Sequence, residues 1–227
     1  MVLLIFDVDE TLCDSAETYK ARGLSVIRKI GEKNDVDFSE AKQAFDLLVK
    51  IHKKDNKGNV GTRAAIKLGL TREEFLEALS KPDPAVFVSE NKELASALSK
   101  LAKKHTLVAF SNAPQVAAAK VLKTLGIDQY FSKIYGANNF EKSKPNPDAF
   151  KQIAQEFGFD YDQIISIGDS IAKEIIPAKS IGGKAILLNV NNYEATELAD
   201  AIINKIDDVV EAVDTLTGAS ASHRNFF

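Results

Sequence analysis

Acidic side chains stand where the first apolar run of the chain ends. Residues 2–8 are apolar except for Asp7, and Asp9 follows directly. A continuous apolar run of this length is typical of a strand that is covered on both faces. Ligands of open α/β sheets bind at the carboxyl ends of the strands. The opening of the sequence therefore predicts a chemical site that contains Asp7 and Asp9.

Other segments carry polar groups of complementary type after apolar runs. These groups are Ser111 and Asn112 at the end of the run at 106–111, Lys144 in a loop held by Pro145 and Pro147, and Asp169 after the run at 163–168, with Glu174 beyond it. The carboxyl ends of parallel strands meet at one edge of a sheet. We therefore expect these separate segments to converge on Asp7.

The gathered side chains predict phosphoryl chemistry. Asp7, Asp9 and Asp169 in one crevice would repel each other, and a hard divalent cation such as Mg²⁺ would relieve the repulsion. The metal, Lys144 and a hydrogen bond from Ser111 would form a cradle for a phosphate. A carboxylate is a known nucleophile toward phosphorus, which is the role expected of Asp7. Asp9, two residues on, is expected to give and take the proton.

Alternating strand and helix patterns must position these groups. Continuous β-rich runs occupy residues 2–8, 106–111, 163–169 and 184–190, with weaker candidates at 133–136 and 201–204. Helical patterns occupy residues 91–104, 114–126, 146–158, 174–183 and 207–216. Such alternation predicts an α/β fold with a doubly wound, Rossmann-like parallel sheet.

A helical insertion interrupts this alternation after the first strand. Helical patterns alone fill residues 16–31, 38–54, 61–70 and 71–80, and 80–87 resembles a linker. We therefore predict a core of residues 1–14 and 87–227 and an inserted α-helical domain of residues 15–86. The tail at 217–227 is expected to be loosely ordered.

Composition excludes several classes of partner. The net charge is −3, so neither a nucleic-acid polymer nor an anionic membrane is expected as partner. No apolar run approaches the ~20 residues of a membrane span, and the N-terminal segment lacks the features of a signal peptide. The single cysteine, Cys13, excludes an intrachain disulfide and fits a reducing cytosol. We expect a cytoplasmic protein, and the sequence does not indicate its oligomeric state.

Four motifs, in order along the chain, resemble those of the haloacid dehalogenase superfamily. They are DVDET at 7–11, FSN at 110–112, SKPNPDAF at 143–150 and IGDSIAKE at 167–174, in which Glu174 replaces the commoner Asp. The resemblance implies a phosphatase of the branch with a small helical cap between the first two motifs. It implies a Mg²⁺-dependent hydrolase that acts on a small phosphomonoester through an aspartyl-phosphate.

The resemblance also assigns roles by position. Asp7 would be the nucleophile and Asp9 the acid/base. Thr11, Ser111, Asn112 and Lys144 would bind or orient the phosphate. The metal ligands would be Asp7, Asp9 through its main-chain carbonyl, Asp169 and Glu174, the last directly or through water. Glu174 also fits a plainer role, as an acid in the first turn of a helix.

Substrate selection is expected in the helical cap. The segment at 52–63 holds Lys53, Lys54, Lys57 and Arg63, which would meet an anionic or sugar-bearing substrate or would simply be solvated. This segment, with the sequence after it and FSNAP at 110–114, resembles pyrimidine-type 5′-nucleotidases. A nucleoside monophosphate is therefore the first expected substrate, and phosphoglycolate or a sugar phosphate is the alternative.

Other functions on the same fold remain open at this stage. A haloacid dehalogenase needs no metal and generally lacks the second aspartate, so Asp9 and Thr11 argue against it. A phosphomutase needs a dedicated set of polar cap residues, which the sequence does not display. A non-catalytic module would have lost motif residues, and all of them are present.

Overall fold

A computed structural model describes residues 1–54, 60–193 and 197–218. The chain forms two compact units. One contains Met1–Ser15 together with the described residues from Val88 onward, and the other is Ala16–Phe87. The first unit carries the sheet, and the second is made of helices.

The sheet confirms the predicted parallel α/β fold. Within the described residues its strands are β1 (Leu3–Phe6), β2 (Thr106–Phe110), β3 (Lys133–Tyr135), β4 (Ile164–Gly168), β5 (Lys184–Leu188) and β6 (Ala201–Ile203). Their order is β3-β2-β1-β4-β5-β6, and every neighbouring pair is parallel. β1 therefore lies between β2 and β4, which brings the ends of the three motif-bearing strands together.

The helical unit contains α1 (Ala16–Asn34), α2 (Phe38–Lys53), α3 (Val60–Lys67) and α4 (Arg72–Ser80). Two of these helices begin at side-chain caps. Asp37 accepts a hydrogen bond from the main-chain N–H of Glu40, and Thr71 and Glu74 cap each other's main chain. The apolar faces pack on one another through buried residues such as Ile27 and Ala65. This unit therefore has a hydrophobic core of its own.

The helices of the sheet-bearing unit cover both faces of the sheet. They are α5 (Lys92–Ala102), α6 (Gln115–Thr124), α7 (Pro147–Phe157), α8 (Ile176–Ser180) and α9 (Val209–Leu216). Buried residues of α5, α6 and α9 share one core cluster, and those of α7 and α8 share another. In the part of the chain that is described, no helix has the length and apolar character needed to cross a bilayer.

Alternate side chains along a strand belong to different core clusters, because they point to opposite faces of the sheet. In β1, Leu4 and Phe6 belong to the cluster with α5, α6 and α9, whereas Leu3 and Ile5 belong to the cluster with α7 and α8. Successive side chains of a strand point to opposite faces, so an uninterrupted apolar run serves both clusters. This is the reason that the apolar runs in the sequence are continuous.

The segment after β4 differs from the predicted helix at 174–183. It begins with a π-helical turn, Ile171–Ile175, and continues as the short helix α8. Pro177 lies in the first turn of α8 and provides no N–H for a hydrogen bond to the preceding turn. A wide turn before it is one way to accommodate that loss, and π turns occur often at functional sites. The turn contains Glu174.

Candidate active site

Asp7 is held from two sides at the end of β1. Lys144 Nζ donates to its Oδ1 at 2.6 Å, and Thr11 Oγ1 donates to its Oδ2 at 3.0 Å. The main-chain N–H of Asp7 donates to Ile167 O, which continues the pairing of β1 with β4. Asp7, Thr11 and Lys144 are all buried. The carboxylate therefore has a fixed position and orientation.

Lys144 joins Asp7 to a second carboxylate. Its Nζ lies 2.8 Å from Glu174 Oε1 and 5.1 Å from the ring centroid of Phe110. Burial by itself would lower the pKa of Lys144, but the adjacent charges of Asp7 and Glu174 outweigh it and raise the pKa above its usual value. The side chain is 2% exposed and remains protonated. Lys144 thus brings a permanent positive charge to the site.

Glu174 faces Lys144 because of the π turn and a close glycine. Its Oε2 accepts from the main-chain N–H of Ser170 at 3.1 Å. A Cβ on Gly168 would lie 2.3 Å from Glu174 Cγ, so only glycine leaves room for this side chain. Burial raises the pKa of Glu174 to about 7, while the Lys144 ammonium acts in the opposite direction. Glu174 is therefore a partner of Lys144 in this structure.

Asp9 and Ser111 form a second buried pair. Ser111 Oγ donates to Asp9 Oδ2 at 3.0 Å and accepts from the main-chain N–H of Ala113 at 2.9 Å. Ser111 follows β2 directly, and the pair thus links the ends of β1 and β2. The sequence predicted that Ser111 would donate to a phosphate. In this structure its hydroxyl donates to Asp9.

Asp169 follows β4 and is half-buried. Burial raises the pKa of its carboxyl, and the negative charge of Asp7 raises it further. Asn191 opposes both effects, because its Nδ2 donates to Asp169 Oδ2 at 3.0 Å. The electrostatic effect of Asp7 on Asp169 agrees with their places at the ends of paired strands. The two acids that the sequence placed together are therefore neighbours.

Asn112 contacts the loop that carries Lys144. Its Oδ1 accepts from Ser143 Oγ at 2.7 Å, and its Nδ2 donates to the main-chain carbonyl of Lys144 at 3.1 Å. Both ends of the amide are thus engaged by the loop. The sequence predicted a phosphate-binding role for Asn112, but its contacts in this structure are those of a support for Lys144.

The donor set matches a hard cation with few protein ligands. Among the described residues, no cluster of three or more His, Cys, Asp or Glu side chains is arranged to hold a metal. Of the four predicted metal ligands, Asp9 was expected to act through its main-chain carbonyl and so adds no side chain to such a cluster, and the Glu174 carboxylate lies 2.8 Å from Lys144 Nζ. Mg²⁺ is commonly bound by only one or two carboxylates with several waters. Asp7 and Asp169, whose like charges repel, fit that requirement.

The predicted substrate residues lie in the helical unit. Lys53 and Lys54 are exposed at the end of α2, and Lys57 lies outside the described residues. Arg63, in α3, is partly buried, and its Nη2 lies 3.0 Å from Nδ1 of His52. The structure thus pairs Arg63 with a histidine that the sequence analysis did not select.

Sequence reasoning missed two further groups at the carboxyl edge of the sheet. Glu10 has φ 64° and accepts from the N–H and hydroxyl of Ser15, which shapes the loop after β1. Asn191, in the loop after β5, bonds to Asp169. Its position beyond a buried apolar run was a usable signal, because the same rule had identified Asp169.

The comparison with protein families agrees with this geometry. The family model for haloacid dehalogenase-like hydrolases matches residues 1–182. The chain is a haloacid dehalogenase-like hydrolase. The match contains all four sequence motifs, so the predicted superfamily and the prediction of a hydrolytic enzyme are confirmed.

Named relatives and a solved structure cover nearly all of this hydrolase. It is 27% identical to a phosphoglycolate phosphatase of Neisseria gonorrhoeae, over 92% of this chain and 88% of that protein. It is 25% identical to a glyceraldehyde 3-phosphate phosphatase of Methanocaldococcus jannaschii, over 94% of this chain and 97% of that protein. The crystal structure of a HAD phosphatase from Thermococcus onnurineus superposes with a TM-score of 0.67 at 20% identity, covering 94% and 98% of the two chains.

Proposed function

We propose that this hydrolase is a Mg²⁺-dependent phosphatase that cleaves small phosphomonoesters through an aspartyl-phosphate. The observation that carries the proposal is the buried Asp7 carboxylate, held by Lys144 at 2.6 Å and Thr11 at 3.0 Å, with Asp9 two residues away. A positioned carboxylate beside a permanent cation is suited to attack an anionic phosphoryl group. The phosphatase names of the relatives support the same chemistry.

In the first step an Asp7 oxygen attacks phosphorus and the bond from phosphorus to the leaving oxygen breaks. Asp9 gives its proton to that oxygen, so an alcohol departs. In the second step Asp9 takes a proton from water, and the resulting hydroxide attacks the phosphorus. The bond to Asp7 then breaks, which restores the carboxylate and releases inorganic phosphate. Asp9 begins and ends the cycle protonated.

Lys144 and Thr11 assist both steps without being consumed. The Lys144 ammonium neutralises charge near the phosphoryl oxygens, and Thr11 keeps the second oxygen of Asp7 in place. Ser111 orients Asp9 before substrate binds. Asp7, Asp169 and the main-chain carbonyl of Asp9 would hold Mg²⁺. The bound cation would supply charge compensation for the transferred group.

We propose a short phosphorylated acid, aldehyde or sugar as the substrate in place of a nucleotide. The names of the relatives that align along most of the chain support this choice, since they refer to phosphoglycolate and glyceraldehyde 3-phosphate. The nucleotidase interpretation depended on a short stretch of the cap sequence and on FSNAP at 110–114. In this proposal the helical unit acts as the cap, and Lys53, Lys54, Lys57 and Arg63 are its candidate contacts.

The test is phosphate release from an aryl phosphate, with Mg²⁺ and with EDTA, and then from a metabolite panel. The panel contains 2-phosphoglycolate, glyceraldehyde 3-phosphate and nucleoside monophosphates. Turnover should require Mg²⁺, and Asp7→Asn should abolish it while the circular dichroism spectrum stays that of the parent. Asp9→Asn should slow both steps. Near-normal rates for Asp7→Asn would refute the nucleophile, and a preference for nucleotides would restore the nucleotidase interpretation.

A further inference from the structure

Asn191, in the loop after β5, is a hydrogen-bond donor to Asp169. Its Nδ2 donates to Asp169 Oδ2 at 3.0 Å and lies 3.3 Å from the Asp169 main-chain carbonyl. One amide group therefore contacts both the side chain and the backbone of the same residue. Two contacts of this kind restrict both the rotation of the carboxylate and the path of the chain that carries it.

The sheet order explains why Asn191 reaches this position. β4 lies between β1 and β5, so Asp169 has Asp7 on one side and the loop after β5 on the other. The register pairs Gly168 with Leu187, which places that loop beside Asp169. Asp169 therefore stands between a like charge and a hydrogen-bond donor.

The loop that carries Asn191 is itself fixed. Asn189 Oδ1 accepts from the main-chain N–H of Tyr193 at 2.8 Å, and the N–H of Asn189 donates to Ile203 O on β6 at 2.9 Å. Asn192 has φ 52°, a left-handed conformation that asparagine tolerates better than most residues. These contacts hold Asn191 in place although its side chain is exposed.

The bond engages only one oxygen of Asp169. Among the described residues, no donor makes a hydrogen bond to its Oδ1, whereas Oδ2 is taken by Asn191. A Mg²⁺ ion needs one oxygen from such a carboxylate. Hydrogen bonds to a ligating carboxylate orient it, and their loss weakens metal binding.

We propose that Asn191 is a positioning residue for the metal site: it holds Asp169 so that the second carboxylate oxygen is presented to Mg²⁺ beside Asp7. This inference rests on the proposed Mg²⁺-dependent function. It assigns a role to a residue outside the four sequence motifs. Asn191 itself contacts neither metal nor substrate in this role.

The test measures Mg²⁺ binding by isothermal titration calorimetry, without substrate. Asn191→Ala and Asn191→Leu remove the donor from an exposed position and should fold normally. Each should raise the Mg²⁺ dissociation constant about tenfold, with the thermal midpoint in EDTA unchanged. The Mg²⁺ concentration for half-maximal turnover should rise in parallel, while the KM for substrate at saturating Mg²⁺ stays constant. Asn192→Gly is the matched control, since it removes a neighbouring amide and glycine accepts its backbone conformation.

The outcomes separate this inference from the proposed function. If the parent protein binds no Mg²⁺, both are refuted. If the parent binds Mg²⁺ and the Asn191 variants bind it within about twofold of the parent, only the role of Asn191 is refuted, against the expected larger loss. The role of Asn191 is also refuted if Asn192→Gly weakens binding as much, because the cause would then be the loop as a whole.

Discussion

Removal of the Lys144 charge should destabilise the sheet-bearing unit strongly. Lys144 Nζ lies 2.6 Å from Asp7 Oδ1 and 2.8 Å from Glu174 Oε1, and the side chain is 2% exposed. Lys144→Met keeps the length and apolar stem of the side chain but leaves two buried carboxylates facing each other. Neither of them would have a cation as partner.

The magnitude follows from the distances and the burial. At an effective dielectric constant of about 20, each of the two contacts is worth roughly 6 kcal/mol of Coulomb energy. Most of this is cancelled by the cost of desolvating the charges, so the pair contributes little net stability. Loss of one partner from a buried pair nevertheless costs about 3–5 kcal/mol, because the remaining charge stays buried. At roughly 2–4 °C per kcal/mol, the thermal midpoint should fall by about 6–20 °C.

The assay is thermal and urea unfolding in EDTA. It compares the parent, Lys144→Met, and a variant that carries Glu174→Gln in addition. Glutamine has nearly the shape of glutamate and no charge, so the double variant Lys144→Met/Glu174→Gln should recover about half or more of the lost stability. It should not recover turnover, because the Lys144 ammonium that would neutralise charge near the phosphoryl oxygens is still absent. The reasoning is refuted if Lys144→Met unfolds within about 0.5 kcal/mol of the parent, the range of ordinary surface substitutions.

The pH dependence gives an independent check. The pKa of Glu174 is about 7 in the folded protein, above its ordinary value of 4.5, so its effect favours folding below pH 4.5 and is lost as the pH rises through 7. Without Lys144 this pKa should rise further, since an attractive cation has been removed. The deficit of Lys144→Met should therefore be smaller at pH 5 than at pH 8. A deficit equal at both pH values would contradict the proposed electrostatics.

Two further substitutions, one of them with a control, test the packing of the sheet-bearing unit and the support of the site. Gly136→Ala should destabilise by about 3 kcal/mol or more in urea unfolding, because its Cβ would lie 2.0 Å from the main-chain nitrogen of Gln115. Gly23→Ala, where a Cβ meets nothing within 4 Å in a helix, should instead be neutral or stabilising; equal effects would refute the packing argument. Asn112→Ala should lower kcat roughly tenfold or more, since it releases the Lys144 loop; an unchanged kcat would remove its supporting role.

Much of the fold could be predicted because its signals are local. The apolar run of β1 is buried on both sides, and this burial requires side chains of one character along the whole strand. The helix ends are marked by residues such as Asn146 and Gly158, which cap α7. The rule that parallel strands gather their carboxyl ends then brought together Asp7 and Lys144, which are 137 positions apart.

The partners of the site residues could not be predicted in the same way. Asn112 was expected at a phosphate and lies against the Lys144 loop, and Glu174 was expected at a metal and lies against Lys144. Each choice depends on loop paths and on the π turn at Ile171–Ile175, which changes the direction of Glu174. A local sequence pattern does not contain these distances.

By itself the sequence determined which residues are chemically able to act and at which edge of the sheet they stand. That information is carried by residue type and by alternation along single elements, and both are properties of short stretches of chain. Only the tertiary structure decided which donor meets which acceptor. Asn191, in the loop after β5, donates to Asp169 at the end of the neighbouring strand β4. A hydrogen bond is made or lost within a few tenths of an ångström, and strand register and loop conformation set distances on that scale.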